Sequence, residues 1–400
     1  MKPHPLLLSL QSIMRSPMFL TLVFASTVVS TSQARSFNVV FKFARPGAAS
    51  PQAGLIHDKA GNLYGTTIDG GASGSGTVFK LTPAGKLTVL YTFTGGVDGG
   101  DPEGGVITDG KGNLYGTATL GGGPHPGCTN SCGVVYKIDS SGHESVLYAF
   151  TGESDGGGPV GGLIRDAQDN LYGTTNTGGA NEWGTVFKLD ASGNFTLLYT
   201  FKGTPDGAQP SAALLRDSAG NLYGTTSAGG PDGVGTVFKI DPSGNETILH
   251  SFSSGADGAF PLAPLSGDPQ TLMYGTTSEG GAGNSGTIFQ IDPNGNESVI
   301  HSFVGTDGAN PEAGLLGVHG YLIGTASGGG KDHCGTVFAL TPSKSIVVLH
   351  QFTCGADGEF PSAPLVLDGT GTAYGTTLGE TDPICGVSGH DCGTVFKISR

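Results

Sequence analysis

A short motif returns seven times along the chain, and this repetition limits the possible folds more than any other feature. The motif reads Leu-Tyr-Gly-Thr, and its second positions are spaced by 51, 57, 51, 51, 49 and 51 residues. Those positions are Tyr64, Tyr115, Tyr172, Tyr223, Tyr274, Ile323 and Tyr374. Three other blocks recur in step with it: Gly-Thr-Val-Phe, Val-Leu-Tyr-x-Phe, and a proline followed by small residues and an apolar pair. All four blocks have the composition and the Gly, Asp or Asn borders of strands. Four strands in about 50 residues match one blade of a β-propeller.

The two ends of the chain carry incomplete copies of this repeat. We label the strands a (after the proline), b (Leu-Tyr-Gly-Thr), c (Gly-Thr-Val-Phe) and d (Val-Leu-Tyr-x-Phe). Residues 37–43 read as a strand d with no a, b or c before it, and residues 393–399 read as a strand c with no d after it. The sequence therefore predicts an all-β, seven-bladed β-propeller with four antiparallel strands per blade, whose ring is closed when residues 37–43 complete the last blade. Closure removes the mismatched ends that an open solenoid would leave.

Composition agrees with an all-β fold and indicates how each blade is oriented. The 400 residues include 72 Gly and 23 Pro, the two poorest helix formers, which excludes a helical bundle. A hydrophobic content of 36% supplies a core and argues against disorder. Because small residues follow each proline and fit a crowded axis, we expect strand a at the inner edge and strand d at the outer edge. The a–b and c–d turns then share one face, and the b–c and d–a loops share the other, which we call the top face.

The charge balance and the first residues indicate an exported protein. With 19 Lys and Arg against 33 Asp and Glu, the net charge is −14, which excludes nucleic acid and anionic membrane surfaces as partners. Residues 1–34 read as a signal peptide, with an apolar region from Met18 to Val29 and small residues before a cleavage site after Ala34. A membrane anchor is the alternative for this segment. We expect residues 35–400 to form one propeller domain, monomeric, secreted to the periplasm or outside, with no membrane span once the signal is removed.

Six cysteines suit disulfides in such a compartment. The b–c loops of blades two and seven are enlarged and each contains a pair, Cys128 with Cys132 and Cys385 with Cys392. In blade six, opposed residues of the c–d hairpin should sum to about 687, and Cys334 with Cys354 sums to 688. Pairing within each loop, and between Cys334 and Cys354, is therefore predicted. Zinc binding is the alternative.

The ordered blocks resemble a known repeat family. Gly-Asn-Leu-Tyr-Gly-Thr-Thr, Gly-Thr-Val-Phe-Lys-Leu, Val-Leu-Tyr-x-Phe and Asp-Gly-x-x-Pro are similar to the Gloeo/Verruco (GloVer) repeat, and the likeness covers about residues 37–400. This resemblance implies a secreted bacterial β-propeller. It implies a fold and a location but no particular activity.

Acidic residues recur on the predicted top face. An Asp-Gly stands four residues before the strand-a proline, at Asp98, Asp155, Asp206, Asp257, Asp307 and Asp357. These carboxylates could bind a cation or a polyhydroxylated ligand. The favoured interpretation is that each one makes the turn before strand a by accepting hydrogen bonds from nearby backbone N–H groups.

Residues that break the repeat are more informative about a site. Trp183, the only Trp, precedes strand c and either stacks on a sugar ring or packs over its own loop. Phe260 and Phe360 stand before the strand-a proline and either frame or plug the mouth of the channel. His250, His301 and His350 take the strand-d place of a Tyr and are predicted to be packing residues rather than metal ligands.

The sequence contains no recognisable catalytic motif, and we predict neither a cofactor nor a metal ion. The first hypothesis is a non-enzymatic binding or scaffold protein whose top face takes an extracellular glycan or another cell-surface component. The alternative is a polysaccharide hydrolase or lyase that uses acidic residues at the top of the central channel. A purely structural surface protein is the third.

Overall fold

A computed structural model gives the structure of the protein and describes residues 36–124, 132–379 and 392–399. In these three ranges all regular structure is β. Seven antiparallel sheets of four strands follow one another along the chain, and each has the order a-b-c-d. The predicted all-β, seven-bladed propeller is confirmed.

The strands have closely similar bounds in every blade. In blades one to three they are Ile56–His57, Leu63–Thr67, Thr77–Leu81, Leu87–Thr92; Ile107–Thr108, Leu114–Ala118, Val134–Ile138, Glu144–Ala149; Ile164–Arg165, Leu171–Thr175, Thr185–Leu189, Phe195–Thr200. In blades four to six they are Leu215–Arg216, Leu222–Thr226, Thr236–Ile240, Glu246–Ser251; Ser266–Asp268, Leu272–Thr277, Thr287–Ile291, Glu297–Ser302; Leu316–Val318, Tyr321–Ala326, Thr336–Leu340, Ile346–Gln351. In blade seven they are Val366–Leu367, Ala373–Thr377, Thr394–Ser399 and Ser36–Lys42. Two small ladders pair Ala48–Ala49 with Asp69–Gly70 and Gly207–Ala208 with Ala228–Gly229.

The N-terminal strand closes the ring as predicted. Ser36–Lys42 is the outer strand of blade seven and pairs antiparallel with Thr394–Ser399, with Phe37 opposite Ile398 and Val39 opposite Phe396. The first described strand and the last one thus belong to one sheet. This pairing joins the two ends of the domain through backbone hydrogen bonds, so the sheet edge that strand c of blade seven would expose is covered.

Aromatic rings form the core between blades. The Phe that follows each strand d packs edge to face on the strand-c ring of the next blade, with ring centroids 5.0–5.3 Å apart and interplanar angles of 64–68°. The seven pairs are Phe43–Phe79, Phe93–Tyr136, Phe150–Phe187, Phe201–Phe238, Phe252–Phe289, Phe303–Phe338 and Phe352–Phe396. The Gly of each Leu-Tyr-Gly-Thr makes room for this ring. At Gly65 an added Cβ would lie 2.8 Å from Phe79 Cζ, closer than packed carbons allow.

A buried hydrogen bond links each blade to the next near the axis. The first Thr of every strand b, or its equivalent, donates its hydroxyl to a backbone carbonyl of the small residues that lead into the following strand a, over 3.1–3.4 Å. The donors are Thr66, Thr117, Thr174, Thr225, Thr276, Thr325 and Thr376, and the last of them reaches Ala53 of blade one.

The structure corrects the predicted extent of strand a. The small residues lie innermost, as expected, but they precede the strand, whose ladder starts only at the following apolar residues, such as Ile56–His57. They pack instead against their equivalents in neighbouring blades, so that a Cβ on Gly161 would lie 2.8 Å from the carbonyl oxygen of Ala212. The axis is too crowded for a longer ladder. At Pro264 and Pro364 the missing N–H also removes a donor that a ladder would need.

We predict that replacing Thr225 by Val destabilises the protein by about 1–3 kcal/mol. Val keeps the shape but leaves the buried carbonyl of Ala263 without the hydroxyl that now lies 3.1 Å away. Urea unfolding of the two proteins measures the difference. Thr247→Val is the matched control, because Thr247 lies exposed on the outer strand of the same blade. Equal effects of the two substitutions would contradict a structural role for the hydroxyl.

Candidate functional site

One residue per blade holds the top face together. It stands immediately before the strand-a proline, and its backbone lies in the left-handed region in all seven blades, with φ of 51–61°. Its N–H donates to the carbonyl of the residue before strand c of the preceding blade, over 2.7–3.0 Å, and its own carbonyl accepts an N–H from the b–c loop over 3.1–3.2 Å. The seven residues, which we call the top ring, are Ser50, Asp101, Gly158, Gln209, Phe260, Asn310 and Phe360.

The top ring combines a constant backbone with variable side chains. Left-handed φ is unfavourable for a residue with a Cβ, by about 1 kcal/mol or more, so the fold tolerates it only because both backbone hydrogen bonds recur. Two bulky aromatic residues accept this backbone, Phe260 with φ 55° and Phe360 with φ 53°. Because the backbone is fixed by the repeat, the side chain is free to differ from blade to blade.

A cavity of about 640 Å³ opens on this face over blade six. Its walls come from three consecutive blades and include Ser285, Asn310, Glu312, Ser327, His333 and Phe360. Phe360 is 41% exposed, so a face of its ring is available to a ligand. Burial raises the pKa of Glu312, an effect that a hydrogen bond with Ser327 partly offsets. The cavity therefore combines an aromatic surface with hydroxyl, amide, imidazole and carboxyl groups.

The other predicted aromatic residues lie apart from this cavity. Trp183 belongs to blade three and is 42% exposed. Its ring lies over Gly203 of the d–a loop, where a Cβ would meet the indole Nε1 at 2.9 Å. Phe260 occupies the top ring in blade five and is half-buried. The structure thus places Phe360 in the cavity wall, while Trp183 and Phe260 are outside the residues that line it.

The six repeated aspartates make similar hydrogen bonds within their own loops. Each carboxylate accepts a hydrogen bond from the backbone N–H of the residue that follows the repeated Phe after strand d, over 2.8–3.3 Å. Asp98, Asp155 and Asp206 are also buried, at 8%, 8% and 9% exposure. These bonds are the ones that the turn interpretation predicts. A direct role of these six residues in ligand binding stays a prediction.

These aspartates have a second hydrogen-bond partner, which the sequence patterns did not indicate. A Tyr hydroxyl of strand d donates to Asp98, Asp155 and Asp206, and a His Nε2 lies at the same place beside Asp257, Asp307 and Asp357, at 2.9–3.3 Å in all six cases. His250, His301 and His350 therefore take over a hydrogen bond as well as a packing position. In every blade with such an Asp, the strand-d Tyr or His stands six or seven residues before it, and this nearly constant interval is a sequence signal that could have revealed the pairing.

Three glutamates at the start of strand d face these pairs from the next blade. Burial, together with the nearby charge of Asp98, Asp206 or Asp257, raises the pKa of Glu144, Glu246 and Glu297 to about 7. In each of them Oε1 is buried without a hydrogen-bond partner. Three blade junctions thus bring two carboxyl groups to one Tyr or His, and such a junction holds a negative glutamate poorly.

Several acidic residues lie close together on the top face where blades one and two meet. Ser50 and Arg45 both contact a carboxylate oxygen of Asp69 at 3.1 Å. Burial and the charge of Asp69 raise the pKa of Asp101, and burial and the charge of Asp101 raise that of Glu103. The carboxyl groups of this region therefore repel one another, and none of them lines the cavity over blade six.

The predicted disulfide of blade six is present. Cys334 and Cys354 are bonded, with their Cα atoms 5.4 Å apart, which uses both sulfurs and rules out zinc bound by the two thiolates. Cys132 and Cys392 are disulfide-bonded as well. The partners predicted for them, Cys128 and Cys385, lie outside the described residues, as does the predicted signal peptide.

We predict that Glu297 makes the protein less stable as pH rises. The folded pKa is about 7, above the usual 4.5 of the unfolded chain, so the stabilising neutral form is present below pH 4.5 and is lost as pH passes 7. The unfolding midpoint of the wild type should therefore fall relative to that of Glu297→Gln as pH rises from 5 to 8. Thermal unfolding across this range measures it. If the difference between the two midpoints does not change with pH, titration of Glu297 does not affect stability and the prediction is wrong.

Comparison with known proteins agrees with this architecture. The Gloeobacter/Verrucomicrobia repeat family matches residues 24–129, 124–333 and 272–400. The extracellular domain of a protein assigned as a one-component system from B. thetaiotaomicron superposes with a TM-score of 0.57 at 11% identity, over 91% of this chain and 40% of that one. This chain thus spans less than half of that protein.

A protein of Bacteroides uniformis assigned as a 6-phosphogluconolactonase superposes with a TM-score of 0.50 at 15% identity, over 84% of this chain and 98% of that one. Identities this low show a shared fold only. A search of curated proteins gave no significant match. No helix of the described ranges has the length and apolar composition needed to cross a bilayer. The matches to the repeat extend through the whole propeller, and the chain belongs to the Gloeobacter/Verrucomicrobia repeat family.

Proposed function

We propose that this protein is a secreted binding protein whose cavity over blade six takes a polyhydroxylated ligand, an extracellular glycan or another cell-surface component. The observation that carries the proposal is the cavity itself, whose wall contains the exposed Phe360 together with the polar residues Asn310, Glu312 and His333. Sugar rings have apolar faces that stack on aromatic rings and hydroxyl edges that need donors and acceptors. One aromatic surface among convergent polar groups meets both needs.

Export is part of the same proposal. Residues 1–34 serve as the signal peptide, and the disulfide between Cys334 and Cys354 suits an oxidising compartment. The net charge of −14 further favours a neutral or cationic ligand over a strongly acidic one.

Trp183, Phe260 and the six aspartates take secondary roles in this proposal. Exposed Trp183 offers a separate stacking surface on blade three for a long ligand. Phe260 holds the top-ring position of blade five, outside the residues that line the cavity. The aspartates hold the d–a loops, since their carboxylates already accept hydrogen bonds there.

A polysaccharide hydrolase or lyase is the second candidate, favoured by Glu312. Its raised pKa suits a general acid. Glycoside hydrolysis ordinarily needs a second carboxyl group about 5–9.5 Å away. Glu312 is the one carboxylate among the residues that line the cavity, and Glu103, whose pKa is also raised, belongs to blade two. The lining therefore supports binding better than this chemistry.

We predict that Phe360→Ala weakens glycan binding at least about tenfold, which corresponds to about 1.4 kcal/mol. A panel of immobilised bacterial and plant glycans identifies a bound oligosaccharide, and calorimetric titration then compares the variants. Val97→Ala is the matched control, because Val97 is a 72% exposed apolar residue of a d–a loop away from the cavity.

Four outcomes would decide the question. Loss of binding with Phe360→Ala alone supports the cavity. Loss with Trp183→Ala as well extends the site to blade three. Binding that Phe360→Ala leaves unchanged, or that Val97→Ala reduces equally, would overturn the assignment, and release of reducing sugar that Glu312→Gln abolishes would favour the hydrolase.

A further inference from the structure

We propose that the disulfide between Cys334 and Cys354 is a redox-sensitive clamp on the cavity over blade six. Oxidised protein holds the cavity wall in its binding form, and reduction by a small dithiol releases it. The inference rests on the proposed function of this cavity as a ligand site. It adds a means of control that the repeat itself does not supply.

The fold does not require this disulfide. Cys334 precedes strand c and Cys354 follows strand d. In blades one and three the equivalent positions lie close together, because a Cβ on Gly95 would be 2.7 Å from the hydroxyl of Ser75 and one on Gly203 would be 2.9 Å from Nε1 of Trp183. The same two repeat positions have no covalent bond between them in four other blades. They are occupied there by Ser75 with Gly95, Trp183 with Gly203, Val234 with Ser254 and Ser285 with Gly305. These blades have the same strands and the same loop connections. The bond in blade six therefore serves something local to that blade.

The disulfide starts at a residue whose equivalents close their own loops with a hydrogen bond. In five d–a loops the N–H at the position of Cys354 donates to a carbonyl three or four residues later, over 3.0–3.2 Å. These bonds run from Gly95 to Gly99, Gly152 to Gly156, Gly203 to Gly207, Ser254 to Gly258 and Gly305 to Gly308. The fully described loop of residues 353–360 has no corresponding backbone bond from Cys354. It closes one residue later, where the N–H of Gly358 donates to the carbonyl of Gly355 over 3.0 Å. The covalent link therefore adds to a loop that has one internal hydrogen bond fewer at Cys354.

Two side chains of the cavity wall are positioned through Cys334. His333 is its chain neighbour and has a left-handed backbone with φ 62°. Phe360 donates its N–H to the carbonyl of Cys334 over 3.0 Å. Both residues line the cavity. When the link to Cys354 is cut, the segment that carries Phe360 keeps only hydrogen bonds to this wall, so the ring is less well preorganised for a ligand.

The bond is placed where a reductant can reach it. Cys354 is exposed, whereas Cys334 is 2% exposed. A thiolate of the dithiol attacks Sγ of Cys354 and expels Sγ of Cys334, which takes up a proton. The second thiol of the reductant then displaces Cys354 from the mixed disulfide. Two electrons and two protons pass to the protein, which gains two thiols, while the dithiol becomes a cyclic disulfide.

The surroundings favour two neutral thiols after this step. The carboxylate of Glu359 lies within 4.8 Å of both sulfurs and disfavours thiolates. The carbonyl oxygen of Asp332 lies 3.3 Å from Sγ of Cys334 and 3.4 Å from Sγ of Cys354, where it can accept a thiol hydrogen. The reduced state thus has local partners of its own.

The test uses the double variant Cys334→Ser/Cys354→Gly, which gives blade six the Ser and Gly pair that blades one and five already have. A chemical reductant alone would also reach the disulfides of Cys132 and Cys392, so the variant isolates this one bond. We expect an unchanged fold and at least tenfold weaker binding to the oligosaccharide chosen from the glycan panel. Val234→Ser/Ser254→Gly, which makes the same pair in blade four, should bind as the wild type does.

Hydrogen exchange gives a second measurement that needs no ligand. In the double variant the amide of Phe360, and those of residues 354–359, should exchange at least tenfold faster than in the wild type. Wild-type binding that the variant retains in full, or exchange that is unchanged, would overturn the clamp. Faster exchange in a protein whose wild type binds no glycan would leave the clamp standing and overturn the proposed ligand class instead.

Discussion

The contact on which the rest of the structure depends is the edge-to-face packing of one blade's Phe on the strand-c ring of the next. A four-stranded blade has two apolar faces and no second layer of its own, so it can bury them only against its neighbours. At the junction of blades one and two, Phe93 and Tyr136 are both fully buried. The Thr66 hydroxyl crosses the same junction closer to the axis. Seven copies of these two contacts form a circle, which is why the strand at residues 36–42 has to be in place before the core is complete.

Such a circle fixes the backbone and leaves the function to a few side chains. The top ring shows this most clearly, since Gln209, Phe260 and Asn310 share one left-handed conformation and one pair of hydrogen bonds. Beyond the cost of a left-handed φ, which the six residues other than Gly158 share, the residue type at this position therefore has little effect on the backbone. Selection can change the chemistry of one sector without disturbing the others. The cavity lies in such a sector, where Asn310 and Phe360 stand on either side of blade six.

The sequence predicted most of the fold because the fold is periodic. The truncated repeats at both ends required ring closure, and the hairpin register that pairs Val337 with His350 was enough to bring Cys334 next to Cys354. Strand a was predicted too long, since a pattern of small residues shows crowding but not which residues form a ladder.

The candidate site was predicted less well, for a physical reason. The cavity draws its walls from three blades, so no local motif describes it, and Glu312 was not singled out at all. The aspartate positions were found, but their second hydrogen-bond partner was not, because it depends on where a Tyr hydroxyl 7 residues away points. Side-chain direction of this kind follows from packing between strand d and the loop after it, which the order of residues alone does not give.

Several departures from sevenfold symmetry lie in one part of the ring. Blades four to six replace the strand-d Tyr by His, and the cavity and the disulfide of Cys334 belong to blades five to seven. His350 is also stacked on Phe37 of the closing strand, with centroids 3.6 Å apart, and burial lowers its pKa despite the hydrogen bond to Asp357. This stack joins strand d of blade six to the closing strand of blade seven. The sector with the most altered chemistry is therefore joined directly to the strand that completes the fold, so changes there are limited by closure as well as by ligand.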